Sequence, residues 1–293
     1  MYKLPTTAHP AGRRPRWRPL CAALGLALAL GACAQPGATV TDGDTPWQSL
    51  MPTALLLVGE VHDAPEHQAL QARLVGDLAQ QGRLGALVLE MAEQGRHTAG
   101  LAPNASEAAV RARLGWTDAR GTGGWSWPTY QPVVMAAVRA GVPVLGGNLP
   151  RSQLRQVMAD PRLDLALEPA ALDRLRERVR EGHCNLLPAH QIAPMARVQI
   201  ARDKAMAATV QTALRSERTV VLVAGNEHVR KDIGVPRHLP VALPFKVLQA
   251  APGSASVAPA GMSDVLWRSP PRPEVDHCAA LREQWQSRLP KVQ

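Results

Sequence analysis

A chain of 293 residues with 46% hydrophobic residues can bury one large core, which excludes a disordered chain and a small disulfide-stapled scaffold. Of the formal charge of +9, five cations (Lys3, Arg13, Arg14, Arg16, Arg18) precede residue 33 with no acid among them, so the rest carries about +4 without a basic block, and a nucleic-acid footprint is excluded. With one Phe, seven Trp and two Tyr, the core must be built of Leu, Val and Ala.

Residues 1–32 read as a processing signal rather than as fold. A basic stretch at 13–18 precedes an apolar core at 21–30 that is too short to span a membrane comfortably. Leu30-Gly31-Ala32-Cys33 follows and resembles the lipobox of bacterial lipoproteins. That resemblance implies that Cys33 is acylated and becomes the first mature residue, and several acyl chains would anchor it stably. Ala34 stands after the Cys, and without an Asp there the resemblance to better-known lipoproteins implies an outer-membrane location facing the periplasm. Residues 33–51 read as a lipidated tether rich in Gly, Thr, Asp and Pro, and residues 52–293 as the domain. Cys21 leaves with the signal and Cys33 carries lipid, so Cys184 and Cys278 remain in an oxidising compartment and are expected to form a disulfide.

Within the domain the apolar run 54–58 predicts a buried strand, and Gly59 breaks it. Glu60, His62, Asp63, Glu66 and His67 crowd the next eight positions. Leu70, Leu74, Val75 and Leu78 then give an amphipathic helix over 64–80. The second strand, 86–91, closes on Glu90, a carboxylate that needs a partner or a function there. Ser106 is a candidate cap for a helix over 106–114. Residues 115–130 read as an irregular Gly-rich loop holding Trp116, Trp125, Trp127 and Tyr130, suited either to a flat apolar ligand or to packing beneath the loop.

A helix over 132–140 and a strand from 143–145 lead into Gly146-Gly147-Asn148, and Pro150-Arg151 opens the next helix. Residues 160–168 read as a linker. An inserted helical segment follows, with helices over 170–181 and 188–215; Arg202, Asp203 and Lys204 interrupt the apolar face of the second as a solvated turn or to bring Asp203 to the site. Residues 220–224 are a buried strand, 234–244 a Pro-punctuated loop, 246–250 and 265–268 late strands, 251–261 a flexible connection, and 278–285 a last helix. Short strands alternating with helices give an α/β fold with a mainly parallel sheet flanked by helices. Gly-x-Gly-x-x-Gly, P-loop and Gly-x-Ser-x-Gly patterns are all missing, so neither nucleotide binding nor a serine nucleophile elbow has support.

One pattern recurs. Gly59-Glu60-Val61-His62 and Gly225-Asn226-Glu227-His228 both read Gly-x-x-His directly after a buried strand, each with a Glu just before the His. The loop after a strand's carboxyl end is where α/β folds bind ligands, so the two copies are expected to converge on one rim with Glu90.

Seven spaced segments carry a more specific likeness. Leu57-Val58-Gly59-Glu60-Val61-His62-Asp63, Leu89-Glu90-Met91, Tyr130-x-Pro132, Gly147-Asn148-x-Pro150-Arg151, His183-Cys184, Gln199-x-x-Arg202-Asp203-x-x-Met206-Ala207 and Gly225-x-x-His228-Val229-Arg230 resemble, in order, the ChaN family of haem/iron-uptake lipoproteins. The resemblance covers about residues 52 to 250. It implies an α/β fold, a homodimer holding haem at the subunit interface, and an outer-membrane haem/iron receptor as a partner. The wider superfamily is similar to Tiki-type metalloproteases and erythromycin esterases, in which the Glu and paired Gly-x-x-His motifs carry hydrolysis. Asn226-Glu227 departs from the small residues expected there in ChaN relatives, and the added acid favours metal.

Two functions therefore stand side by side, with a third reading in which the chain is a scaffold lipoprotein whose Glu/His cluster is a satisfied hydrogen-bond network. As a haem-binding protein, the chain would use Tyr130 as the leading axial ligand, with His62, His183 and His190 behind it, Trp127 against the ring, and Arg151 or Arg230 at the propionates. As a metal-dependent hydrolase acting on a peptide or ester, it would hold Zn or Mn with His62, His228 and one of Glu60 and Glu90, leaving the other carboxylate as general base. That second reading requires the two strand ends to be neighbours in the sheet.

Overall fold

The structure is a computed structural model, and it describes residues 38–40, 45–117, 125–253, 261–273 and 276–286. The expected signal peptide and Cys33 lie outside the described residues, as does most of the 251–261 connection.

Among the described residues seven strands form one sheet: β1 (Ala38–Val40), β2 (Leu55–Glu60), β3 (Leu84–Glu93), β4 (Val144–Asn148), β5 (Thr219–Gly225), β6 (Phe245–Pro252) and β7 (Val265–Ser269). Their order is β1-β7-β6-β2-β5-β3-β4, and every neighbouring pair is parallel. A parallel sheet is covered on both faces, which is why β2 and β5 are unbroken apolar runs rather than alternating ones. Alternation still decides which core each side chain enters. Leu56 and Val58 face helices α1 (Pro65–Gln80), α2 (Glu107–Leu114) and α3 (Trp127–Arg139), whereas Leu55 and Leu57 face the long helix α6 (Ala189–Ala213).

The inserted helical segment has its own small core. Leu172, Leu175 and Val179 of α5 (Pro169–Gly182) pack against Ile192, Ala196 and Ile200 of α6. Cys184, in the turn between these two helices, is bonded to Cys278 on α8 (His277–Gln286). The short helices α4 (Leu154–Met158) and α7 (Asn226–Val229) follow the carboxyl ends of β4 and β5.

The structure departs from the sequence reading in several places: β2 runs through Gly59 to Glu60 instead of breaking at the glycine, and the 234–244 loop holds a 3-10 helix, Val235–His238. Residues Pro46–Leu50, expected in the tether, form a 3-10 helix that buries Trp47 and Leu50, and Ala38–Val40 pair with β7. Helix α3 begins at Trp127 instead of within the 132–140 segment, because Pro128 suits the first helical turn and Pro132 is tolerated within the helix. The 160–168 linker contains a 3-10 helix, Pro161–Ala166, with Asp160 accepting from the Arg162 N–H. β3 also runs past Glu90 to Glu93, so Glu90 lies inside a strand rather than at its end.

Candidate functional site

β2 lies between β6 and β5, and β5 lies between β2 and β3. Glu60 is level with Gly225 across β2 and β5, so the two Gly-x-x-His motifs leave the sheet side by side. The neighbour relation that the hydrolase reading needed is therefore present. It has a reciprocal steric cause. A Cβ on Gly59 would meet Asn226 Oδ1 at 2.3 Å and Val229 Cγ2 at 2.6 Å, and a Cβ on Gly225 would meet His62 Nε2 at 2.9 Å. Each glycine makes room for the other motif; neither is there to supply a left-handed turn.

The side chains brought together form an alternating series of carboxylates and imidazoles. Asp203 Oδ1 lies 2.6 Å from His228 Nδ1, and His228 Nε2 lies 3.4 Å from Glu90 Oε1. Glu90 Oε2 lies 3.9 Å from His62 Nε2, and His62 Nδ1 lies 2.7 Å from Glu60 Oε1. Tyr130 Oη donates to the same Glu60 oxygen at 2.5 Å. Glu60, Glu90, Asp203, His228 and Tyr130 are all buried, while His62 keeps 41% of its side chain exposed. Carboxylates buried this deeply need donors. Gln68 and Gln71 on α1 both donate to Glu60 Oε2, at 2.8 and 2.5 Å, and the Gly225 N–H donates to Glu90 at 2.8 Å.

Electrostatics follow from this bonding. Burial opposes a charge on His228, but the Glu90 and Asp203 carboxylates outweigh it and raise its pKa to about 10. Both ring nitrogens face acceptors, as an imidazolium requires. Burial likewise opposes ionisation of Glu90, yet His228, His62 and the Gly225 N–H hold it well below the usual carboxylate range. Burial pushes Asp203 up to about 6 despite His228. The His62 pKa is raised because Glu60 and Glu90 overcome its desolvation. Burial and the Glu60 charge push the Tyr130 phenol far above its ordinary value. The Asp203–His228–Glu90 part of the series can therefore hold a proton on the imidazole between two carboxylates.

A cavity of about 660 Å³ opens above the series, lined by Glu60, His62, Glu90 and His228 together with Arg178, Arg202 and Arg230. An adjoining space of about 170 Å³ is walled by Leu175, Val179 and His183, and shares Arg178, Glu227 and His228 with the larger one.

The other expected residues fall out differently. Tyr130 is spent on Glu60 within the buried cluster, so its oxygen is not presented to an iron in an open pocket. Trp127 is buried, packs edge-on against Trp116 and donates to Glu107, which makes it core rather than a ligand platform. Of the loop tryptophans, Trp125 approaches His62, with ring centroids 5.7 Å apart, and Trp116 packs against Tyr130 at 5.8 Å. Arg230 is bonded at both ends of its fork to Asp232, at 2.9 Å each. Arg151 is exposed and outside the cavity lining, and His190 is exposed on α6. His67 is buried, accepts from the Val61 N–H and packs on Trp267.

His183 is held by a backbone bond. A carbonyl can only accept, so His183 Nδ1 donates to Val179 O at 2.7 Å and leaves the Nε2 lone pair free in the neutral ring. Among the described residues, no three His, Cys, Asp or Glu side chains stand in a metal-holding arrangement. Sequence reasoning missed Gln68, Gln71 and Arg178. Two glutamines three apart on an otherwise apolar helix face were the signal for the first two, since buried amides need partners.

Comparison with known proteins places this arrangement. The family described as "Haem-binding uptake, Tiki superfamily, ChaN" matches residues 47–239. The solved structure of ChaN from Campylobacter jejuni, with cofacially bound haem, is similar over 74% of this chain and 88% of that one, at 22% identity and a TM-score of 0.60. The type III effector HopBA1 is similar at 14% identity and a TM-score of 0.44, covering 75% of this chain and 88% of that one. A mutant of the erythromycin esterase EreC is similar at 15% identity and a TM-score of 0.41, covering 70% and 72%. No curated protein matches the chain. The chain belongs to the ChaN family of haem-binding uptake proteins in the Tiki superfamily.

Proposed function

We propose that this chain binds ferric haem in the bacterial cell envelope and takes part in haem or iron uptake, tethered by lipid at Cys33 to the outer membrane and facing the periplasm. Family membership supports the ligand, and the lipobox supports the anchor. The observation that carries the reading to a residue is His183: its Nδ1 is fixed by Val179 O, and the side chain lines an apolar-walled space beside the arginine-bearing cavity. Bound haem would supply an iron that takes an imidazole nitrogen. His183 would provide that nitrogen, and Leu175 and Val179 would exclude water from it. Cofacial haem, as in the Campylobacter jejuni relative, is the reason to expect a homodimer. An outer-membrane haem/iron receptor is the partner this role requires.

The test is a haemin titration of the fragment from residue 34, followed at the Soret band. Wild-type protein should give a saturable, red-shifted band. His183→Ala should weaken binding by at least about ten-fold and move the band, while Tyr130→Phe should leave its position unchanged. A shifted band in Tyr130→Phe with none in His183→Ala would return the ligand to Tyr130.

A second reading, a metal-dependent hydrolase using Zn or Mn, has its own favouring observation: His62 Nε2 and His228 Nε2 both face the Glu90 carboxylate. It predicts near-stoichiometric divalent metal lost on chelation, and ester or peptide turnover abolished by Glu90→Gln or Glu60→Gln. A metal-free preparation that turns over no ester or peptide after loading would remove it.

A further inference from the structure

Three arginines line the cavity, and their bonding divides them. Arg178 meets Glu227 through both Nε, at 3.0 Å, and an Nη, at 2.9 Å, and also pairs with Glu181. Arg230 is held by Asp232 and Glu227. Arg202, half-buried on α6, is different. Among the described residues its guanidinium has no hydrogen-bond or ion-pair partner, and its Nε is buried without an acceptor. The neighbouring Asp203, which feels the Arg202 charge, is committed to His228.

A guanidinium is always charged and carries five donors in a planar fork that matches a carboxylate edge to edge. Holding one at a cavity wall, partly stripped of water and with nothing accepting from its Nε, costs free energy unless a ligand restores the bonds. The same cavity is lined by Glu60, Glu90 and Glu227, so a group with several charges on one centre would meet more repulsion at the fork than one carboxylate does. Ala251 and Leu266 add an apolar wall for the rest of such a molecule.

We propose that Arg202 is the carboxylate anchor of this cavity, binding bidentately one carboxylate group of a largely apolar ligand. The identification of that group as a haem propionate rests on the haem reading; the carboxylate chemistry does not. The arginines named from the sequence, Arg151 and Arg230, do not compete for the role, the first lying outside the cavity lining and the second being already paired.

Arg202→Gln tests this against haemin, haemin dimethyl ester and butyrate. Wild-type protein should prefer haemin to the ester by about ten-fold or more, the worth of a charge-assisted bidentate pair. Arg202→Gln should lower haemin affinity to the level of the ester, leave ester binding unchanged, and leave Tm undiminished, since among the described residues the side chain has no bonding partner. Equal losses for haemin and ester with a lower Tm would assign Arg202 a structural role and overturn the proposal, as would no loss for either. If wild-type protein binds neither porphyrin, the haem reading fails and butyrate decides alone. A saturable shift of the Arg202 Nε–Hε resonance in 15N-labelled protein would sustain the carboxylate site, and an unresponsive resonance would overturn it.

Discussion

Gly59 and Gly225 show how one missing Cβ can build a site. Each lies where the other motif crosses; a side chain at Gly59 would meet Asn226 and Val229, and one at Gly225 would displace the His62 ring. The clash at Gly59 cannot be relieved cheaply, because Asn226 Nδ2 is bonded to Ala250 O at 2.7 Å and Asn226 opens α7. Gly59→Ala should therefore cost about 2–4 kcal/mol of unfolding free energy, from overpacking. Gly76 is the control: it lies in α1 with nothing within 4 Å of a Cβ, so Gly76→Ala should stabilise by up to about 1 kcal/mol. Urea unfolding of the two variants measures both, and equal effects would refute the reciprocal packing. The carboxylates obey a similar local logic. Glu60 tolerates burial because Tyr130, His62, Gln68 and Gln71 all donate to it.

At the level of elements, the sheet supplies the rim and the inserted helices close it. Asp203 comes from α6, and Arg178 reaches Glu227 from α5, so two inserted helices complete a cluster begun by β2, β3 and β5. The Cys184–Cys278 bond ties the α5–α6 turn to α8 across 94 residues of chain. A loop of that length, once closed, removes much freedom from the unfolded chain, and the bond should be worth about 2–4 kcal/mol. Cys184→Ser with Cys278→Ser, or a reducing agent on the wild type, should lower the denaturation midpoint accordingly. An unchanged midpoint would mean that other contacts hold α8 and that closure of the loop contributes little.

For the whole molecule, two kinds of histidine pull stability in opposite directions with pH. His67 is buried and His238 half-buried, and desolvation lowers each to about 4. Between pH 6.5 and 4 the unfolded chain binds protons that the folded chain does not, so their contribution falls as pH falls. His228 is raised to about 10, so its contribution is complete below 6.5 and is lost as pH rises toward 10. Asp203, raised to about 6, gains protons in the fold earlier than in the unfolded chain and works against His67 on the acid side. The clean measurement is thus a difference. On going from pH 7 to pH 5, His67→Gln, which keeps an acceptor for the Val61 N–H, should lose about 2 kcal/mol less stability than wild type. Parallel pH profiles would show that His67 is free to charge in the fold.

Much of the fold was legible because it is written locally. The unbroken apolar runs at β2 and β5 announce strands buried on both faces, and the spacing of Leu70, Leu74 and Leu78 announces α1. The repeated Gly-x-x-His, with Glu90, named four members of the cluster from residue types and strand ends alone. Strand order is not local. Nothing in the spacing of residues 60, 90, 203 and 228 states that β5 lies between β2 and β3 or that α6 crosses their rim, because sheet register is set by contacts between distant segments. The same holds for which polar groups are already satisfied. By itself the sequence determined which residues could ligate or catalyse. Only the tertiary structure decided that Tyr130 and Arg230 are spent on partners, that His183 keeps a free nitrogen and that Arg202 keeps a free fork, since a hydrogen bond used inside the protein is not available to a ligand.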